Sequence, residues 1–77
     1  MIIPQNRLDR YDIFDCCYGT TTDRTRVGTY LTLDNGETAF AYKFSNLLPG
    51  TKVLCTVLKL ATEEKFKLVS IDSVLYA

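Results

Sequence analysis

The sequence contains no histidine. That removes the side chain whose charge changes most readily near neutral pH, and with it the commonest general base and metal ligand. The chain has no net charge either: nine basic residues balance nine acidic ones. A strong, non-specific polyanion binder gains its affinity by neutralising phosphates, so such a binder is not expected. Any basic patch must arise from folding. No apolar run approaches the ~20 residues that cross a bilayer as a helix. The start, "MIIPQNRLDRYD", is interrupted at once by Pro4 and by charge, so no secretory signal is expected.

Cysteine is scarce and lacks a pairing pattern: Cys16, Cys17 and Cys55 are the three. An odd count without Cys-x-x-Cys spacing argues against a disulfide framework, a redox pair or a zinc knuckle. Reduced thiols in a soluble, cytoplasmic protein with no membrane association are the simplest expectation. Cys55 alternates with Val53 and Val57, which reads as inert core packing. No phosphate-cradling glycine loop occurs. Enzyme chemistry, a metal site and a cofactor are not expected.

What is present describes a small β domain. A chain of 77 residues is one domain of marginal stability. With 47% hydrophobic residues, five Tyr and four Phe, it has the means to form a core, which disordered chains lack. Residues 1–10 read as a loose N-terminal arm and residues 11–77 as a single barrel. Strands are expected at residues 11–22, 28–33, 37–44, 52–60 and 66–71, the last extended by "SVLYA". Asp9, Asp12 and Asp15 lie three apart and would cluster on a helix. In a strand from Tyr11 onward they are solvated charges. "DNG" at residues 34–36 is the strongest turn signal, because Asn and Gly tolerate the positive φ of tight hairpins. Period two along the third strand separates Phe40, Tyr42 and Phe44 from Ala39, Ala41 and Lys43. The aromatics are expected to point inward, with Leu31, Leu33, Val53, Cys55, Val57 and Leu68. "SNLLPG" is too short for a helix and closes as a turn at Pro49-Gly50. Five strands without a long helix suggest a closed barrel, which leaves no exposed edges.

Several stretches together resemble one family. Gly19 and Gly28 are nine residues apart, and the second opens "GTYL". "FSNL" and "LPGTKV" follow in order, and then "TVLKLATEEKFKL". This series resembles the ribosomal S-one type RNA-binding domain, an oligonucleotide-binding (OB) fold, over about residues 11–71. The resemblance implies an all-β, five-stranded, S-one-like Greek-key barrel, with a short turn in place of the usual helix between strands three and four. The sequence departs from the family at Val27, where a stacking Phe is usual, and at Lys43, where a histidine is frequent. Leu54 stands where an exposed polar residue is expected.

By this resemblance, nucleic acid would lie across strands two and three and the neighbouring loops. Tyr30 matches the retained aromatic, Lys43 the usual histidine, and Lys67 the basic residue opening strand five. Arg24 and Arg26 in the first loop and Lys65 in the last would form the rim. Bases stack on exposed aromatics while Lys and Arg hold phosphates. Each residue has a plainer alternative. Tyr30 also suits a half-buried barrel position. The lysines suit ordinary solvated charge. Arg24 and Arg26 suit surface pairing with Asp23 or Asp34. The expected function is a non-enzymatic module for single-stranded RNA or DNA. Its rival is a protein-interaction or self-association module on the same fold, motivated by neutrality, Val27 and an exposed Leu54.

Overall fold

A computed structural model describes residues 10–44 and 46–76, the Tyr76 side chain excepted. Residues 1–9 of the expected arm, and Ser45 of "FSNL", lie outside them. Five strands follow in order: β1 (Cys16–Arg24), β2 (Gly28–Leu33), β3 (Thr38–Tyr42), β4 (Lys52–Lys59) and β5 (Lys67–Tyr76). They close into one barrel in the order β1-β2-β3-β5-β4. All pairs are antiparallel except β3 with β5, which closes the wall in parallel. This is an all-β, OB-like barrel, and no helix occurs among the described residues.

The connection between β3 and β4 is a turn, as expected. It is tied to β1 by a hydrogen-bonded node. Leu48 O accepts from the hydroxyls of Thr21 (2.7 Å) and Thr51 (2.6 Å). The Thr21 and Gly50 N–H groups bond to Thr51 O and Thr21 O. Both threonines are buried, and these bonds satisfy groups that are costly to bury unpaired.

The first strand begins later than expected, at Cys16 rather than Tyr11. Asp12 and Asp15 explain the delay. Asp15 Oδ2 accepts from Asp12 N at 2.7 Å, and Asp12 Oδ1 accepts from Ile13 N at 2.7 Å. Such local bonds compete with a strand ladder. They fold residues 12–15 into a turn in which Phe14 is left-handed, at φ 68°.

The larger correction concerns the face of β3. A two-residue Asn-Gly turn would pair Asp34 with Glu37, and so set Phe40 opposite Leu31, inside the barrel. The chain instead makes a three-residue loop. Gly36 N donates to Leu33 O at 2.9 Å and Leu33 N to Glu37 O at 2.8 Å. Gly36 takes φ 94°, the left-handed residue that ends such loops. The register therefore moves by one, and a shift of one turns every side chain to the other face. Tyr30 now faces Phe40, while Leu31 faces Ala39.

Phe40 and Tyr42 are accordingly on the outside, and Ala39 and Ala41 are fully buried. Phe44 is half-buried against the core. Leu31, Leu33, Val53, Cys55 and Val57 point inward as expected, joined by Tyr11, Cys17, Val69 and Ile71. Leu68 is half-buried on the outer side. Leu54 is not the exposed apolar residue expected. It is 3% exposed, beside a bulge in the β4–β5 ladder. Cys17 and Cys55 are opposite one another on β1 and β4, their sulfurs 3.7 Å apart. Hydrogen bonding with Cys17, and then burial, pushes the Cys55 thiol far up, so it stays protonated. Burial, followed by the nearby Asp72 carboxylate, also raises Cys16.

Two strand glycines have close neighbours, Gly28 on the outer face with Phe40 and Gly19 on the inner face with Leu31 and Leu33. A Cβ on Gly28 would lie 2.2 Å from Ala41 O and 2.8 Å from the Phe40 ring. The carbonyl belongs to the paired strand and cannot yield without opening the ladder. At Gly19 the nearest atom, at 2.7 Å, is Leu31 Cδ1, the end of a side chain that can turn away. Gly28→Ala is expected to cost about 2–3 kcal/mol, lowering the melting temperature by roughly 10–20 °C. Gly19→Ala should cost distinctly less. Paired thermal melts test this ranking, and equal losses would contradict it.

Candidate nucleic-acid interface

The register of the hairpin gathers aromatics on the outer wall. Tyr30 and Phe40 are cross-strand neighbours, their ring centroids 4.9 Å apart at 63°. Tyr42, two residues along β3, packs edge-on against Phe40 at 5.0 Å. Phe66, just before β5, packs edge-on against Tyr30 at 5.6 Å. The four rings form a continuous stripe, Phe66–Tyr30–Phe40–Tyr42. Edge-to-face contacts of this kind favour a fixed arrangement beyond simple area burial. The inner two rings are half-buried. Tyr42 and Phe66, at the two ends, are 56% and 55% exposed.

The stripe floors a groove of about 460 Å³. Its far wall is the β4–β5 loop, residues 60–66. Thr62 shapes that loop: its hydroxyl accepts from Lys65 N at 3.1 Å, and its N–H donates to Lys65 O at 2.9 Å. Lys59 and Lys65 line the groove with one acid, Glu64. At the Tyr42 end, the Thr25 hydroxyl accepts from the N–H groups of Val27 and Gly28. That turn places Val27 in the groove lining and leaves Arg26 exposed beside it. Lys43 N donates to Val27 O at 3.1 Å. Lys43 itself is left-handed, at φ 78°, which stops β3 and turns the chain away. Strained backbone in a non-glycine residue gathers at ligand sites.

The six residues singled out from the sequence thus separate. Tyr30 and Lys65 line the groove, and Lys43 and Arg26 adjoin its Tyr42 end. Arg24 lies at the end of β1 opposite Thr29, away from the groove lining. Among the described residues, neither Arg24 nor Arg26 forms an ion pair with Asp23. Lys67 does not belong to the interface. It is 2% exposed, and its Nζ donates to Tyr11 O at 2.5 Å and pairs with Glu37 at 2.8 Å. Its neighbour across the β3–β5 seam is Ala39, an inward residue, so Lys67 points inward too. Phe40, Tyr42, Phe66 and Lys59 were not singled out. Pairing Tyr30 with Phe40 would have found the first two, since cross-strand partners share a face.

Lys67 instead closes one end of the barrel with Tyr11. Tyr11 N donates to Glu37 Oε1 at 3.1 Å, and its hydroxyl donates to Asp34 Oδ1. Asn35 Nδ2 also donates to Glu37 at 2.5 Å. Burial alone would raise the Glu37 carboxyl. The hydrogen bonds from Lys67, Asn35 and Tyr11 outweigh it and hold the carboxyl below its ordinary 4.5.

Compared with protein-family models, curated proteins and solved structures, the chain matches none of them.

A carboxylate with a lowered pKa stabilises the fold above its unfolded value, and that stability is lost as pH falls toward the folded value. Glu37→Gln should therefore be less stable than the parent at neutral pH. It should also lose less stability between about pH 5 and pH 3. Urea melts at several pH values read both effects, and parallel pH profiles would contradict the assignment.

Proposed function

We propose that the chain is a non-enzymatic module that binds single-stranded nucleic acid, RNA foremost, in the groove between the β2–β3 face and the β4–β5 loop. The observation that carries this reading is the stripe of four rings, open at both ends, with cations at each end. Bases stack on such rings with little regard for sequence, at about 1–3 kcal/mol per base. Tyr42 and Phe66 offer the accessible rings. Tyr30 and Phe40 brace them from below and fix their spacing. Lys59 and Lys65 on one side, and Lys43 and Arg26 at the Tyr42 end, would hold phosphates.

The stretches that resemble the S-one family support the same reading, as does the OB-like strand order. Val27 bears on it too: with no ring there, stacking relies on Tyr42 and Phe66. The charge distribution suits a weak, local contact. Asp23 is paired opposite Tyr30, which disfavours phosphates on the β1 side, and Glu64 on the loop offsets part of the charge of Lys59 and Lys65.

Fluorescence anisotropy with short labelled single-stranded RNA and DNA, at low and moderate salt, tests the proposal. Tyr42→Ala and Phe66→Ala should each weaken binding by about 5- to 100-fold, the loss of one stacked base. Neither should alter the fold, since both rings are more than half exposed. Lys67→Met should leave affinity unchanged while lowering stability. No binding by the parent protein at low salt would refute the proposal.

A further inference from the structure

The turn at residues 12–15 carries a feature that the groove does not explain. Phe14 is 77% exposed and left-handed at φ 68°, a conformation that is a genuine outlier for a bulky residue. Ile13 beside it is exposed as well. The turn is nonetheless held firmly. Phe14 N donates to Val57 O at 2.7 Å, and Val57 N donates to Asp15 O at 2.9 Å. Asp12 and Asp15 pin it from within, each carboxylate accepting a backbone N–H. The chain thus projects a rigid knob, two apolar side chains flanked by two acids. The aromatic groove is its counterpart in shape and charge: concave, floored by rings, and edged by Lys43, Lys59, Lys65 and Arg26 against one acid, Glu64.

We infer that the Ile13–Phe14 knob of one copy seats in the aromatic groove of a second copy, with Asp12 and Asp15 against its basic rim. Both halves of this contact are present on one chain, so a second copy is the occupant that the surface itself supplies. Knob and groove are different patches, and the contact is therefore heterologous, building open chains unless the rotation happens to close a ring. Only a short loop is buried, which makes the association weak. It also occupies the rings that a nucleic-acid strand would use, so strand binding and self-association compete. The inference does not rest on the nucleic-acid reading.

Light scattering and sedimentation from about 10 μM to about 1 mM, a range suited to weak association, test it with three proteins. The parent's mean mass should rise with concentration, and less at high salt. Phe14→Gly removes the knob; glycine adopts φ 68° without strain, which offsets its greater freedom in the unfolded chain, so this variant should fold about as well as the parent and stay monomeric. Tyr42→Glu places an acid in the groove at an exposed position and should stay monomeric too. Mixed in equal amounts, the two variants hold one intact knob and one intact groove, and should form a dimer that grows no further. A parent protein that remains monomeric over the whole range overturns the inference, as does assembly unaltered by Phe14→Gly or a mixture that stays monomeric. None of these results touches anisotropy binding by the dilute protein, so the two readings fail separately.

Discussion

The register of one hairpin governs what this protein presents to its surroundings. Gly36, in the left-handed region, lets residues 34–36 form a three-residue loop, and Leu33 therefore pairs with Glu37. Everything on β3 follows from that pairing. Ala39 and Ala41 enter a crowded interior, and Phe40 and Tyr42 stand outside beside Tyr30. A loop shorter by one residue would reverse each of these, forcing two large rings into the barrel and leaving two alanines as its outer surface. The interior is tightly filled: even a Cβ on Gly19, which faces inward, would lie 2.7 Å from Leu31 Cδ1 and 3.4 Å from Leu33 Cδ2. Packing and turn chemistry thus select the same register.

The two ends of the barrel are closed by different means. At one end, Thr21, Leu48 and Thr51 tie the β3–β4 connection to β1 through neutral hydrogen bonds. At the other, Tyr11 and Lys67 lie over the core and meet Glu37. A buried ammonium is tolerable only when paired and hydrogen-bonded, and here a carboxylate and a carbonyl supply both needs. That arrangement withdraws one of the nine basic residues from the surface. It leaves the remaining cations near the groove as scattered charges around an apolar floor, so the rings, not the charge, define the interface.

Among the described residues, two non-glycine residues are held left-handed, Phe14 and Lys43. Lys43 follows β3 and turns outward where a regular strand would direct it inward, while Phe14 lies in the turn that precedes β1. Lys43 stands beside the groove and Phe14 on a separate knob. Their positions connect local backbone strain to the two surfaces on which the functional proposals rest.

Much of the architecture was legible in the sequence. Strand β2, the hairpin turn and the helix-free β3–β4 connection follow from residue types and short spacings, because turn residues and β-branched runs act locally. The inward set of Leu31, Val53, Cys55 and Val57 follows from period two. Tyr30 was read from the resemblance as the retained aromatic, with a half-buried barrel position as its alternative, and it stands half-buried on the outer wall. The face of β3 was not, since "DNG" supports loops of two or three residues that differ by one in register, and only the filled interior decides between them. Lys67 was placed at the interface by the resemblance, as the basic residue opening strand five; its burial depends on Tyr11 and Glu37, distant in sequence and brought together by closure of the barrel. The sequence by itself determined how many strands form and where most of them turn. Which side of each strand meets water was settled by tertiary structure, because a barrel interior has a fixed volume that no local spacing records.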